Sequence, residues 1–282
     1  MPSKYVQNTG KTFKIQHRGS WGMTVTRGIH KGSRLPWCKP LRWRIPPGPN
    51  TALVSFPGSG NTWLRYLLQQ ATGYYTGSVY KDYALLKNGF PAESVANGTV
   101  LVVKTHEWGP EAILLIREPV ESILAEFNRQ SGGHIGHAPS DKYKRDKGKY
   151  WEKFTRTKAI VWMNTTLDWL QFEGSIHLVF YEDLISNLSD EMRRIINFLG
   201  VTVSGSDFSC MMKNKDGIYK RRKRKLPFEP FNKSLRLWID KCREIVNKTI
   251  KEYLAGNDVA EFISRTNITF PLPKETKSND IR

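Results

Sequence analysis

Acidic side chains are missing from the first 81 residues of this 282-residue chain, where 12 Lys and Arg stand against neither Asp nor Glu. A second lopsided stretch, 213–225, holds eight Lys and Arg and one Asp, so these two segments carry the whole net charge of +18 and the remainder is near neutral. An excess so localised points to an anionic partner: nucleotide phosphates, an acidic glycan, a membrane surface or nucleic acid. A solvated charge run is the alternative. No apolar run of 18 residues occurs, so the sequence shows no transmembrane helix, and its first residues lack the apolar stretch of a signal peptide. Cysteine is scarce, with only Cys38, Cys210 and Cys242, and their spacing does not give their connectivity. Internal repeats and long low-complexity tracts are also lacking. We therefore expect a single domain with tails: a basic, weakly ordered segment over 1–48, the domain over 49–270 and a C-terminal tail over 271–282. The oligomeric state is not legible.

One feature is over-represented. N-glycosylation sequons begin at Asn97, Asn164, Asn187, Asn232, Asn247 and Asn267, where average Ser/Thr usage gives roughly two by chance. That enrichment favours the secretory lumen. Asn164 falls in a predicted helix and is the one most readily explained as a chance match.

The most informative stretch is 53–63, Leu-Val-Ser-Phe-Pro-Gly-Ser-Gly-Asn-Thr-Trp, in which an apolar strand runs through a small-residue turn into an amphipathic helix. Gly58 and Gly60 allow a tight turn and close backbone approach, and the helix opening at Asn61 aims unpaired N–H groups at an anion. The stretch is not a triphosphate loop. Aligned on Gly60-Asn61-Thr62, the first glycine of that loop falls on Ser55 and its lysine on Asn61. A magnesium-dependent kinase is therefore disfavoured, and a less charged phosphate group held by backbone N–H, Ser59 and Thr62 fits better.

Four ordered segments then resemble the sulfotransferases that use 3′-phosphoadenosine 5′-phosphosulfate (PAPS). Phe56–Trp63 resembles their 5′-phosphosulfate loop. Val102-Val-Lys-Thr-His106 resembles the segment of the catalytic histidine and lysine. Ile116-Arg-Glu-Pro119 resembles the start of the 3′-phosphate element, and Phe180-Tyr-Glu-Asp183 the segment whose tyrosine approaches adenine. A closer resemblance, from about residue 38 to about 254, is to the WSC-domain-containing sulfotransferases. It is carried by Cys38-Lys-Pro-Leu, Ala71-Thr-Gly-Tyr-Tyr-Thr-Gly, Ala125-Glu-Phe-Asn-Arg and Pro227-Phe-Glu-Pro-Phe, while the WSC modules themselves are absent.

The resemblance implies sialic acid O-sulfation in the Golgi lumen, by an enzyme whose relatives are membrane-anchored, with PAPS as co-substrate, adenosine 3′,5′-bisphosphate as product and no metal. It implies an acidic glycan or glycoconjugate acceptor and no nucleic acid partner. It also assigns roles. His106 would be the base and Lys104 would neutralise the transferring group, unless that lysine merely snorkels out of the sheet. Gly58, Ser59, Gly60, Asn61 and Thr62 would hold the 5′-phosphosulfate. Trp63 and Tyr181 would pack on the base, or else belong to the core. Arg117 would grip the 3′-phosphate with help from Gly217, Lys220, Arg221 and Arg222. Cys38 and Cys210 match family cysteines and either pair, leaving Cys242 free, or remain thiols.

Three departures matter. Gly58 replaces a lysine common in cytosolic relatives, which leaves Lys104 or Arg65 to assist the leaving group. The family's 3′-phosphate serine falls on Ala125, with Ser122 as the substitute. The spacing from His106 to Arg117 is short, as though part of a loop were missing. His134 and His137 have a metal-like spacing but no third ligand, and read better as an acceptor-side loop. Glu118 and Asp183 read as orienting nearby backbone.

Short apolar strands at 51–56, 100–104, 112–116 and 176–181 alternate with helices near 61–71, 119–130, 151–172, 190–199 and 232–254. The pattern predicts an α/β, P-loop-like sulfotransferase fold with a mostly parallel central sheet covered on both faces. A polyanion- or glycan-binding module with a decayed cleft is the rival reading.

Overall fold

The strands predicted from apolar runs form one sheet. In the computed structural model, which describes residues 35–106, 109–221 and 224–266, five parallel strands lie in the order β2-β3-β1-β4-β5. They are β1 (Thr51–Ser55), β2 (Gly77–Ser78), β3 (Val103–Lys104), β4 (Glu111–Ile116) and β5 (Ser175–Phe180). The helices are α1 (Asn61–Thr72), α2 (Tyr83–Lys87), α3 (Pro119–Gly132), α4 (Ser140–Lys144), α5 (Lys149–Leu170), α6 (Tyr181–Ser186), α7 (Leu188–Phe198), α8 (Gly205–Lys213), α9 (Lys233–Leu254) and α10 (Val259–Arg265).

Alternation along the strands divides the core in two. Leu53, Ile113, Leu115 and Val179 face a cluster with Leu64 and Leu67 of α1, Met192 and Ile195 of α7 and Met211 of α8. Ala52, Val54, Ala112, Leu114 and Ile116 face the opposite cluster, with Phe127 of α3, Trp162 of α5 and Ile239 and Val246 of α9. A parallel sheet needs apolar residues on both faces because helices cover both, and every residue of β1 is buried.

Helix ends follow local chemistry. Gly73 closes α1 in the left-handed region at φ 68°, Pro119 opens α3, and the Asn232 side chain accepts from the Leu235 N–H to cap α9. The sheet strand expected from Val100 is shorter. Only Val103 and Lys104 pair with β1, although Val100–Val102 are buried beside it.

The connection from β3 to β4 is 105–110, of which 107 and 108 lie outside the described residues. These strands flank β1 on opposite sides. Crossovers in parallel sheets ordinarily run to about a dozen residues or more with a helix, and this one has no room for it. Gly109 lets it pass close to β1, since a Cβ there would lie 2.9 Å from the Asn50 carbonyl oxygen.

The segment expected to be weakly ordered, 1–48, falls up to residue 34 outside the described residues. From residue 35 the chain contacts the rest of the fold: Leu35 is buried in the first cluster and Trp37 lies 5.6 Å from the Tyr66 ring. Cys38 and Cys210 form a disulfide, and Cys242 is a buried free thiol. Among the described residues no helix is long and apolar enough to cross a membrane.

Candidate functional site

Ligands in open parallel sheets bind beyond the carboxyl ends of the strands, where the strand order reverses. Here that point is the end of β1, flanked by the ends of β3 and β4. A cleft of about 1210 Å³ opens there and gathers Gly58, Gly60, Asn61, Thr62, Trp63, Lys104, His106, Arg117, Tyr181, Lys220 and Arg221.

The turn leaving β1 is built for close approach. Gly58 and Gly60 both take left-handed φ values, 89° and 100°. A Cβ at Gly58 would lie 2.4 Å from the Ser122 carbonyl oxygen, and one at Gly60 would lie 2.7 Å from the Tyr181 ring. The first turn of α1 holds no acidic residue and no side-chain cap, so its N–H groups and the positive end of the helix dipole face the cleft unopposed. The Ser59 hydroxyl is buried with no hydrogen-bond partner among the described residues. Asn61 lines the cleft, and its side chain also has partners within the fold. Its amide donates inward to the Leu53 carbonyl at 3.3 Å and the Ser55 hydroxyl at 3.2 Å, tying the helix start to β1.

Lys104 ends β3 and His106 follows two residues later. Tyr80 lies between them, with the Lys104 Nζ 5.3 Å from its ring centroid and the His106 ring at 5.8 Å, edge-on. Burial, reinforced by the Arg65 charge, lowers the Lys104 ammonium from its usual range. Desolvation and then Lys104 lower His106, which favours its neutral, proton-accepting form at neutral pH. Arg65 is not available to a leaving group. Its guanidinium is fully buried, paired with Glu93 at 2.8 Å and hydrogen bonded to Thr76.

Arg117, just past β4, donates to the Gly58 carbonyl at 2.9 Å and stacks over the Tyr181 ring at 4.2 Å, with its Nε buried and unpartnered among the described residues. Trp63 meets Tyr181 edge to face at 5.8 Å and donates its indole N–H to the Lys215 carbonyl at 2.7 Å. That bond, with the Tyr66 hydroxyl on the Asn214 carbonyl at 2.7 Å, fixes the root of the basic loop. Lys220 reaches the cleft beside Asp216. Arg221 closes the loop onto α3 through the carbonyls of Ala125, Gly133 and His134 at 3.0–3.1 Å.

Two expected residues are misplaced for contact with a ligand. The Ser122 hydroxyl is fully buried and donates back to the Pro119 carbonyl at 3.2 Å, because it lies in the first turn of α3 beneath Gly58. Gly217 does not line the cleft. It backs onto Tyr66, whose ring a Cβ there would approach to 2.7 Å, so its left-handed turn shapes the loop. Arg222 lies outside the described residues.

The far wall was less legible. Tyr80, Lys81, Asp82, Tyr83, Arg129, His134, His137 and Arg224 line it. His134 and Asp82 are 2.7 Å apart across the opening. Burial alone would raise Asp82, but the bond to His134 and the N–H groups capping α2 outweigh it and hold the carboxyl low. Only the histidine spacing in 132–137 hinted at this wall. Its partner lies 52 residues away, on a loop without periodicity.

The family model for the sulfotransferase domain matches residues 99–228, a segment that includes Lys104, His106, Arg117 and Tyr181 but begins after the β1 turn. A WSCD family member of Aedes aegypti is 49% identical over 251 residues, covering 77% of this chain and 79% of that protein. A WSCD family member of Drosophila melanogaster is 54% identical over 204 residues, 70% of this chain and 64% of that protein. Among solved structures, mouse sulfotransferase SULT7A1 complexed with PAP aligns with a TM-score of 0.48 at 13% identity, over 77% of this chain and 89% of that one.

Proposed function

The chain belongs to the WSCD family and carries a sulfotransferase domain, and from that premise we propose that it moves a sulfuryl group from PAPS to a carbohydrate hydroxyl, with sialic acid on a glycoconjugate as acceptor. The observation that carries this reading is the meeting of an anion cradle, at Gly58–Thr62, with a lysine and a depressed histidine in one cleft. The orphaned Arg117 Nε, on a residue that lines the cleft, is a donor awaiting an acceptor, as a bound phosphosulfate nucleotide requires.

In this reading His106 takes the proton of the acceptor hydroxyl as the new O–S bond forms. The bond from sulfur to the 5′-phosphate oxygen breaks, leaving adenosine 3′,5′-bisphosphate. Lys104 and the α1 N-terminus lie where negative charge develops. Arg117 and Lys220 hold the 3′-phosphate, and Tyr181 and Trp63 border the base. The basic lining, with Lys81, Arg129 and Arg224 on the far wall, suits an anionic sugar. The Cys38–Cys210 disulfide and the sequons support a luminal, Golgi setting. A decayed polyanion-binding module has one observation in its favour. With glycine at position 58 and Arg65 committed to Glu93, Lys104 is the one of these three positions left to assist the leaving group.

The test is thermal unfolding with adenosine 3′,5′-bisphosphate, beside ADP with magnesium. At a hundred times its Kd the bisphosphate should add about 2.7 kcal/mol. Sulfate transfer to sialylated acceptors that His106→Ala abolishes, with the bisphosphate shift retained, identifies the enzyme. No shift with either nucleotide would sink this reading.

A further inference from the structure

We propose that Asn232 carries an N-linked glycan whose first sugars pack into the second cleft of the molecule, which makes that cleft a site for the protein's own carbohydrate. This cleft, about 440 Å³, lies between the start of α9 and the turn that joins α4 to α5, and Asn232 forms part of its wall. Asn232-Lys-Ser234 is a sequon. Only half of the Asn232 amide is used in the fold: Oδ1 accepts from the Leu235 N–H at 2.9 Å to cap α9, while Nδ2 makes no hydrogen bond among the described residues. A glycan on Nδ2 leaves the cap intact, so modification and folding do not compete.

The lining suits a sugar. Half-buried Phe228 provides apolar surface, backed by Trp151, which is buried and held in place by its indole N–H on the Pro230 carbonyl at 2.6 Å. Aromatic side chains of this kind offer a flat apolar face with polar groups close by. Those polar groups are Lys147 and Glu229 at the rim. Asn97, by contrast, lines neither of the two clefts, and its side-chain oxygen accepts from the Thr99 N–H at 3.0 Å in an exposed turn.

The modification rests on the luminal reading given above. In the lumen an oligosaccharyl group passes from a diphosphate-linked lipid donor to Nδ2. The N–C1 bond forms, the C1–O bond to the diphosphate breaks and the amide proton leaves.

The experiment is expression of the full chain in cultured animal cells, with site occupancy read by the mass change at each asparagine after peptide N-glycosidase treatment of denatured protein. Native protein treated in parallel gives the protection. We expect both Asn97 and Asn232 to be occupied, with the Asn232 glycan released at least about tenfold more slowly from the native protein, because release must await local opening. Asn232→Asp, which removes the sequon but keeps both the cap on Leu235 and the Arg156 hydrogen bond to the Ser234 hydroxyl, should lower Tm. Ser234→Thr, which keeps the sequon and the hydroxyl, should retain both glycan and Tm. An occupied Asn97 beside an empty Asn232, or equal native release from both, overturns the proposal alone. Absence of glycan from every sequon overturns it together with the luminal reading.

Discussion

At the scale of single residues the cleft is governed by two depressed bases. The His106 folded pKa is lowered, so its protonation opposes folding below the ordinary histidine range, and the neutral form persists into mildly acidic solution. The acid limb of kcat/KM should therefore lie below pH 6.5, the ordinary histidine value. Lys104 is lowered too, so the alkaline limb should fall before pH 10.5, its ordinary value. Lys104→Met removes a charge that depresses His106 and should move the acid limb upward. A pH–rate profile of the wild type and this variant checks all three. Glu93 offers a separate test. Its carboxylate and Arg65 are both fully buried, and Glu93→Ala strands the arginine charge, which costs about 3–5 kcal/mol. Denaturant unfolding reads that loss directly.

At the scale of elements, what could be read from the sequence depended on length and on period. Trp63, Leu64, Leu67, Leu68 and Ala71 recur at helical spacing and gave α1 to within a residue, Gly73 included. The four longer apolar runs became strands for the same reason. β2 has two residues and was invisible, and the loop 79–82 after it has no pattern at all, so the wall that carries Asp82 could not be placed. Ser122 failed because counting along a helix says which turn a residue occupies, while burial beneath Gly58 decides where its hydroxyl points. The turn itself was legible through its glycines. Gly60→Ala forces a side chain into left-handed backbone and against Tyr181. It should cost more than about 1 kcal/mol and weaken bisphosphate binding, both measurable in one thermal titration.

At the scale of the whole molecule, the disulfide joins residues 172 apart. In the chain-entropy account, closing a loop of that size stabilises the fold by about 5 kcal/mol. The Cys38→Ser, Cys210→Ser double variant should lose a stability of that order, read by denaturant midpoint with both proteins under non-reducing conditions. The bond also reaches the cleft. The Asn214 amide donates to both sulfurs, at 3.6 and 3.4 Å, and the Asn214 carbonyl receives the Tyr66 hydroxyl at the root of the basic loop.

Seen as a covalent outline, residues 38–210 form a closed ring that contains the β1 turn, Lys104, His106, Arg117 and Tyr181, and the arm bearing Lys220 and Arg221 hangs outside it. A protease that nicks the ring once leaves one covalent molecule, whereas a nick in the arm frees everything beyond it. Limited digestion run on a gel without reductant will therefore report cleavage only in the two segments outside the ring, residues 1–37 and those after 210, and shielding of the C-terminal fragment by added bisphosphate becomes a direct gauge of how firmly the loop holds the nucleotide.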